Sequence, residues 1–496
     1  MSQKNIKYTR QELDEAINTI KSDLNILELQ NCDLNTAYYF IDQRGIITDH
    51  DTMVDGTYVK NIKTGELIKL TEAQRTNPKY NFIYWLKANS HNYLAKLNTS
   101  TGNVILKQLS NTNRKQYANG TDATLDVTDL TSNNDVIMKF PCDIYFKIEA
   151  VIPPNDTTIN PNYLLVTISK IKPSEEETGW QKYSQYNLIG AYESVHNTQY
   201  EKTNSLSGGK PLHFVYASAH IQQAKNKGIR YNIEDYDTHR IILILFYGYY
   251  NTLDCKSVCG HGTNSSVAIN TYKPKVTGLT DNLGMTDTNV ENGSYLLDDL
   301  TTEEIEDGNG PKMKSINFWG LENVWGNVCE ALCNVRILSR AMLKSKLSSQ
   351  NSITVVWDAE DIVSYTSDTI ADFDIKNTSS DTFVCIYNRD CTILERAISV
   401  SYTDACPIGT LLFNSNSDVV PDKSVNNFNM SYTSMQYYSN KDVYAYRSGW
   451  SGGNETTVNG VAFIGTFDKD AAGLFMSASG SRIVYYGDEN SVIIED

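Results

Sequence analysis

The chain has 496 residues, 40% hydrophobic and 21% charged, which supplies enough apolar material for a packed core and argues against wholesale disorder. A formal net charge of −16 argues against a nucleic-acid backbone or an anionic membrane surface as the main partner, since both require clustered Lys and Arg. Tyrosine stands at 32 against 14 phenylalanines, a bias that suits surface proteins using an amphipathic ring either within strands or against a ligand.

Taken in chain order, the first predicted element is a helix from residue 9 to 29. Thr9 and Glu12 form a capping box, and Leu13, Ile17, Ile20, Leu24 and Leu27 step in the 4-3 rhythm of a coiled-coil seam. The segment reads either as an amphipathic helix docked on its own domain or as a short oligomerisation stalk, trimeric because Ile and Leu share both seam positions. Residues 35 to 124 read as short strands broken by Asn-Gly, Thr-Gly and Asp-Gly turns: "AYYFID", "GTYVKNI", "FIYWLKA", "YLAKLN" and "NVILKQL". The polar stretch that follows, beginning "NTNRKQYANGTD", reads as an exposed loop. "DVIMKFPCDIYFKIEAV" (Asp135 to Val151) is a strand pair broken at proline.

Further on, "YDTHRIILILFYGYY" is apolar almost all round, which predicts a central buried helix with Asp237 or Thr238 as its N-cap. "TGLTDNLGMTDTNVENGSYLLDDLTTEEIEDGNG" reads as a long surface loop. A second helix is expected from about Leu321 to Cys333, with Val324, Trp325, Val328 and Leu332 on one face. After 350, β-branched runs such as "SITVVWD" and "DTFVCIYNRD" predict strands alternating with polar loops. The start, "MSQKNIKYTRQELDE", has no signal-peptide pattern, and the longest apolar run, Ile241 to Tyr247, is too short to cross a bilayer. Synthesis in a cytoplasm with reduced thiols is therefore expected.

The segment "WGLENVWGNVCEALC" (Trp319 to Cys333) carries a family likeness. It resembles the GxENxWGNVxEW segment of the formylglycine-generating-enzyme branch of the C-type lectin fold, shared with bacteriophage tail and fibre proteins. "DVIMKFPCDIYFKI", "ETGW" with "YNLIGAYES", "NSLSGGKP", "YGYYNTLDCKSVCGHG", "YRSGWSGG" and "AAGLFMSASGSRIVYYG" follow the family's order, so the resemblance covers roughly residues 125 to 490. It implies that Trp319, Gly320, Glu322, Asn323, Trp325, Gly326 and Asn327 are scaffolding, with the indoles in the core and Asn327 bonded to the backbone of a neighbouring loop. It also implies that ligands meet loops near the closing strands, where Tyr438, Tyr444, Tyr446, Trp450, Asn454 and Tyr485 supply aromatic faces and adaptable hydrogen bonds.

The chemistry of the related enzymes does not carry over. They act through a cysteine pair near the domain's C-terminal end, whereas here no cysteine follows Cys406 and the closing strands hold Arg447 and Arg482. The Glu-Pro-Asn and Trp-Asn-Asp loops of calcium-dependent lectins do not occur either. Cys255, Cys259 and His261, with Cys329 and Cys333, offer a zinc alternative, and the cysteines a disulfide one, to plain core thiols, but the four-residue spacing of each cysteine pair departs from the two-residue spacers of zinc knuckles. His213, His220 and His239 are scattered and fit hydrogen-bonded structural roles better than catalytic ones.

The expectation is thus an α+β chain: an N-terminal helix at 1–34 for oligomerisation or docking, a β-rich segment at 35–124, and a C-type-lectin-like domain at 125–496. The expected role is a phage virion protein, a head or tail fibre or receptor-binding component, attaching to a bacterial surface glycan or protein without cofactor or covalent chemistry. Its expected partners are copies of itself (a trimer) and other virion proteins, with neither nucleic acid nor membrane insertion. A structural decoration or fibre-base protein is the alternative, and a formylglycine-generating-type oxidase the third.

Overall fold

A computed structural model describes residues 29–42, 54–125, 133–197, 201–213, 215–252, 258–259, 262, 274–288, 315–347, 352–356, 362–366, 382–400, 443–447, 464–466 and 479–495. The expected α+β class is corrected: the chain is mostly β-sheet, with 39% in strands and 17% helical. Five short helices are described: α1 (Glu72–Arg75), α2 (Phe82–Asn89), α3 (Ala217–Lys225), α4 (Tyr236–Tyr250) and α5 (Arg340–Leu347). The expected N-terminal helix and its coiled-coil seam lie, but for Leu29, outside the described residues.

Three large sheets organise the rest. The first runs, edge to edge, Leu67–Lys69, Val54–Asn61, Cys32–Asp42, Asn160–Ser169, Ile144–Val151 and Gln181–Tyr183, all antiparallel. The second begins at Tyr231–Ile233 and crosses Ile483–Tyr486, Asn187–Gly190, Asn134–Lys139, His91–Leu97 and Val104–Gln108. It ends on Val492–Glu495, which pairs parallel with Val104–Gln108. The third is built on the long strand Cys329–Ser339, flanked by Thr382–Tyr387 and Val443–Arg447, with Ser479–Gly480 alongside in parallel. The strand pair expected either side of Pro141 is present, and its two strands enter different sheets. Pro141 lacks the amide that would continue either ladder.

Helix α4 lies at the centre, as its all-round apolar sequence requires. Every residue from Thr238 to Gly248 is buried. The N-cap is Asp235, two positions earlier than expected, and its carboxylate accepts the Thr238 amide at 2.8 Å. Asn251 closes the helix in the left-handed conformation at φ 60°. Gly248 lets α4 approach its neighbours, because a Cβ there would meet the Ile83 methyl of α2 at 2.5 Å and the Tyr39 ring at 2.8 Å.

Two local expectations fail for identifiable reasons. "FIYWLKA" was expected as a strand but forms α2, where Asn81 caps the helix by accepting the Ile83 amide. The cap and the buried trio Phe82, Ile83 and Leu86 override the β-propensity of its aromatic and branched residues. The second helix expected over 321–333 does not form. Asn317–Phe318 and Leu321–Glu322 make a two-stranded ladder, an irregular turn follows, and Cys329 starts a strand. Trp319, Gly320, Asn323, Gly326 and Asn327 all take positive φ, and no right-handed helix can contain them. The helical spacing of Val324, Trp325, Val328 and Leu332 arises because everything in this loop is buried, whichever way it points.

Both indoles lie in the main core at 1% exposure. Trp325 meets Phe246 of α4 edge-on at 5.6 Å, and Trp319 stacks on Phe318 at 5.4 Å. Trp325→Ala should therefore cost about 3–5 kcal/mol through the cavity it leaves. Denaturant unfolding checks this, and a loss below about 1 kcal/mol would show that the indole is not a core element.

Candidate functional site

Because the loop from 316 to 330 is wholly buried, its polar groups need partners inside the protein. Glu322 accepts the Gly278 amide and the Thr280 amide, both at 2.8 Å, and the Thr280 hydroxyl at 2.7 Å. Asn327 forms a two-way bond with the backbone of Lys275, accepting its amide at 2.8 Å and donating to its carbonyl at 3.2 Å. These two side chains hold the 275–280 segment against the loop. Gly320, at φ +76°, has no room for a Cβ, which would collide with the Asn92 side chain and the Met285 sulfur.

Two buried arginines complete the network. Arg482 donates to the carbonyls of Gly190 at 2.9 Å and Glu322 at 2.6 Å and pairs with the Glu330 carboxylate at 2.8 Å. Arg114 lies 3.5 Å from the Asp281 carboxylate and donates to the Gly320 carbonyl at 2.9 Å and to Asn317 Oδ1 at 3.1 Å. Its guanidinium covers the Tyr192 ring at 5.1 Å. The polar stretch holding Arg114 and the 275–288 segment were both expected as exposed loops, yet Arg114, Thr277, Thr280 and Asp281 are buried. No local sequence signal separates a buried arginine from a solvated one when its acidic partners lie more than 150 residues away.

Glu193 is the fourth acid here. It accepts from the Asn327 amide, from Asn323 at 3.4 Å and from the Val328 backbone amide at 3.3 Å. Burial, and after it the charge of Glu330, hold its carboxyl well above the usual range. Burial likewise raises Glu322, with Arg114 opposing. Glu322 is bonded to backbone amides, Glu330 to an arginine and Glu193 to amides, so the arrangement fixes a loop.

The expected ligand rim is only partly visible. Tyr438, Trp450 and Asn454 lie outside the described residues. Tyr444 and Tyr446 fall on Val443–Arg447, opposite Arg336 and Ala331 of the long third-sheet strand. Tyr485 is corrected: it is buried against Tyr231 at 5.1 Å, its hydroxyl donates to the Gly102 carbonyl at 2.9 Å, and it belongs to the core. Cys255 lies outside the described residues; Cys329 and Cys333 share one apolar cluster and Cys259 sits in another. Among the described residues no three His, Cys, Asp or Glu side chains gather as a metal site. His220 is buried with its Nδ1 3.0 Å from the Ser481 hydroxyl, and His239 is buried in α4 near Glu234.

What the sequence did not indicate is a cleft of about 410 Å³ at the N-terminal end of α4. Gln181 and Lys182 reach it from the edge strand of the first sheet, Tyr236, Asp237 and Arg240 from the first turns of α4, and Glu395 and Arg396 from the third sheet. Arg240 is sandwiched between the Phe146 and Tyr236 rings, each at 4.9 Å, and bonds Asp237 at 2.7 Å and Gln181. Asn334, also on the wall, accepts the Tyr236 amide at 2.8 Å and donates to the Tyr387 carbonyl at 2.9 Å. Burial, then the charge of Asp237, raises the Glu395 carboxyl.

No family model and no curated protein matches the chain.

The raised Glu193 gives a signed expectation. Its carboxyl keeps its proton in the folded state above the ordinary value of 4.5, so the stability it contributes is full below that value and is lost as pH rises through the folded one. Glu193→Gln cannot titrate, so the stability of the native protein relative to this variant should fall as pH rises from about 4.5. Denaturant melts of both across pH measure this; a pH-independent difference would mean that Glu193 titrates normally.

Proposed function

We propose that the chain is a phage virion protein, a head or tail fibre or receptor-binding component, that attaches to a bacterial surface glycan or protein without covalent chemistry. One observation carries the reading. The segment on which the family likeness rests is a fully buried, left-handed loop whose carboxylates are tied to backbone amides and arginines. That is what a scaffold needs, and it leaves recognition to surfaces elsewhere. The order of the related segments from 135 to 487 and the lack of any cysteine after Cys406 support attachment over the oxidase. Other virion proteins are the partners this role requires.

A second reading, a decoration or fibre-base protein, has its own support. Among the described residues Val492–Glu495 is the outermost strand of the second sheet, and Ile493 and Ile494 are 47% and 52% exposed on it. An open edge carrying apolar side chains suits contact with another subunit.

Gold-labelled antibody against the chain should decorate a projecting appendage of the particle. Purified protein should adhere saturably to host cells and block particle adsorption. Turnover of a thiol or sugar substrate by protein that ignores cells would refute the reading. Protection of Ile493 and Ile494 in the particle, with no cell adhesion, would favour the second.

A further inference from the structure

We infer that the cleft at the N-terminal end of α4 is a saccharide-binding site, one that holds a hydroxyl-rich segment of a bacterial surface polysaccharide. This rests on the attachment reading and names both its ligand class and its place.

The volume, about 410 Å³, falls within the range of small-molecule sites. The lining decides what chemistry fits. Lys182, Arg240 and Arg396 stand beside Asp237 and Glu395, three cations to two acids, so the wall presents donors beside acceptors. A sugar ring meets such a wall with hydroxyls that both donate and accept. A phosphate or sulfate group would face two carboxylates as well as the three cations. The N-terminus of α4 gives it no help, because Asp235 and Asn334 already take the Thr238 and Tyr236 amides. A peptide adding to the sheet would need a longer edge than Gln181–Tyr183, which spans three residues.

The wall is also held in place before any ligand arrives. Arg240 is clamped by two rings and two polar partners, and Lys182 pairs with Asp143 at 2.6 Å. Little side-chain freedom is left to lose on binding, which favours affinity from a modest number of contacts.

The test uses the full-length chain, labelled, on an array of purified capsular and O-antigen polysaccharides, with intact and periodate-treated bacterial cells in parallel. Glu395→Ala and Lys182→Ala are the variants, since Glu395 is exposed and the Lys182 side chain is half open to solvent. Unchanged melting temperatures establish that both fold. Binding of the native chain to particular polysaccharides, weakened about tenfold or more by each variant, is the expected result. Native binding that both variants retain in full would overturn the cleft and leave attachment standing. Adhesion to cells that survives periodate, with every array position silent, would overturn the saccharide in favour of a protein receptor. Silence on both array and cells would refute the attachment reading itself, and this inference with it.

Discussion

Two arginines and four carboxylates share the space beneath the 316–330 loop, all of them out of water. Charges in such a place cost several kcal/mol each to desolvate, and only close, fully bonded partners offset that. The groups bind different stretches of chain. Glu322 holds 278–280, Glu193 holds 323–328, Arg482 ties Gly190 to Glu322 and Glu330, and Arg114 joins Asp281 to Gly320. Removing one partner would leave another charge stranded, so the loop is over-determined. That is how it sustains left-handed backbone at Trp319, Asn323 and Asn327, where an ordinary side chain is strained. The long strand Cys329–Ser339 issues directly from this loop, and the third sheet forms on that strand.

Much of this framework was legible. Strands at 32–42, 54–61, 91–97, 104–108, 134–139 and 144–151 follow from alternation and turn chemistry, and the central helix from its all-round apolar character. Asn327 bonds the Lys275 backbone in both directions. What misled was periodicity in places where every residue is buried. Spacing reports a helix only when one face is wet, and around Trp325 none is. The positive-φ run at Gly and Asn was the better signal. The fold class suffered from the same weighting, since helices were favoured where short strands and turns prevail.

The candidate site was scarcely legible at all. Its walls come from residues 146, 181–182, 236–240, 334, 386 and 395–396, which only the packing of α4 between the first and third sheets brings together. Asp237 and Arg240 lie one helical turn apart and could have been noticed as a pair; Glu395 and Lys182 could not. The contrast between loop and cleft is instructive. Charge that is sealed in and bonded shapes the backbone of the loop, whereas comparable groups in the cleft line an open hollow.

The pairing of Val492–Glu495 with Val104–Gln108 joins residues nearly 400 positions apart. Three more strands of the same sheet come from residues before 200, and Ile483–Tyr486 joins them late. On a ribosome, then, residues 91 to 139 must wait with one sheet margin bare until almost 500 amino acids have been joined. Assembly of this sheet is slow by virtue of its distant closures, and exposed in the interval to mispairing between nascent copies.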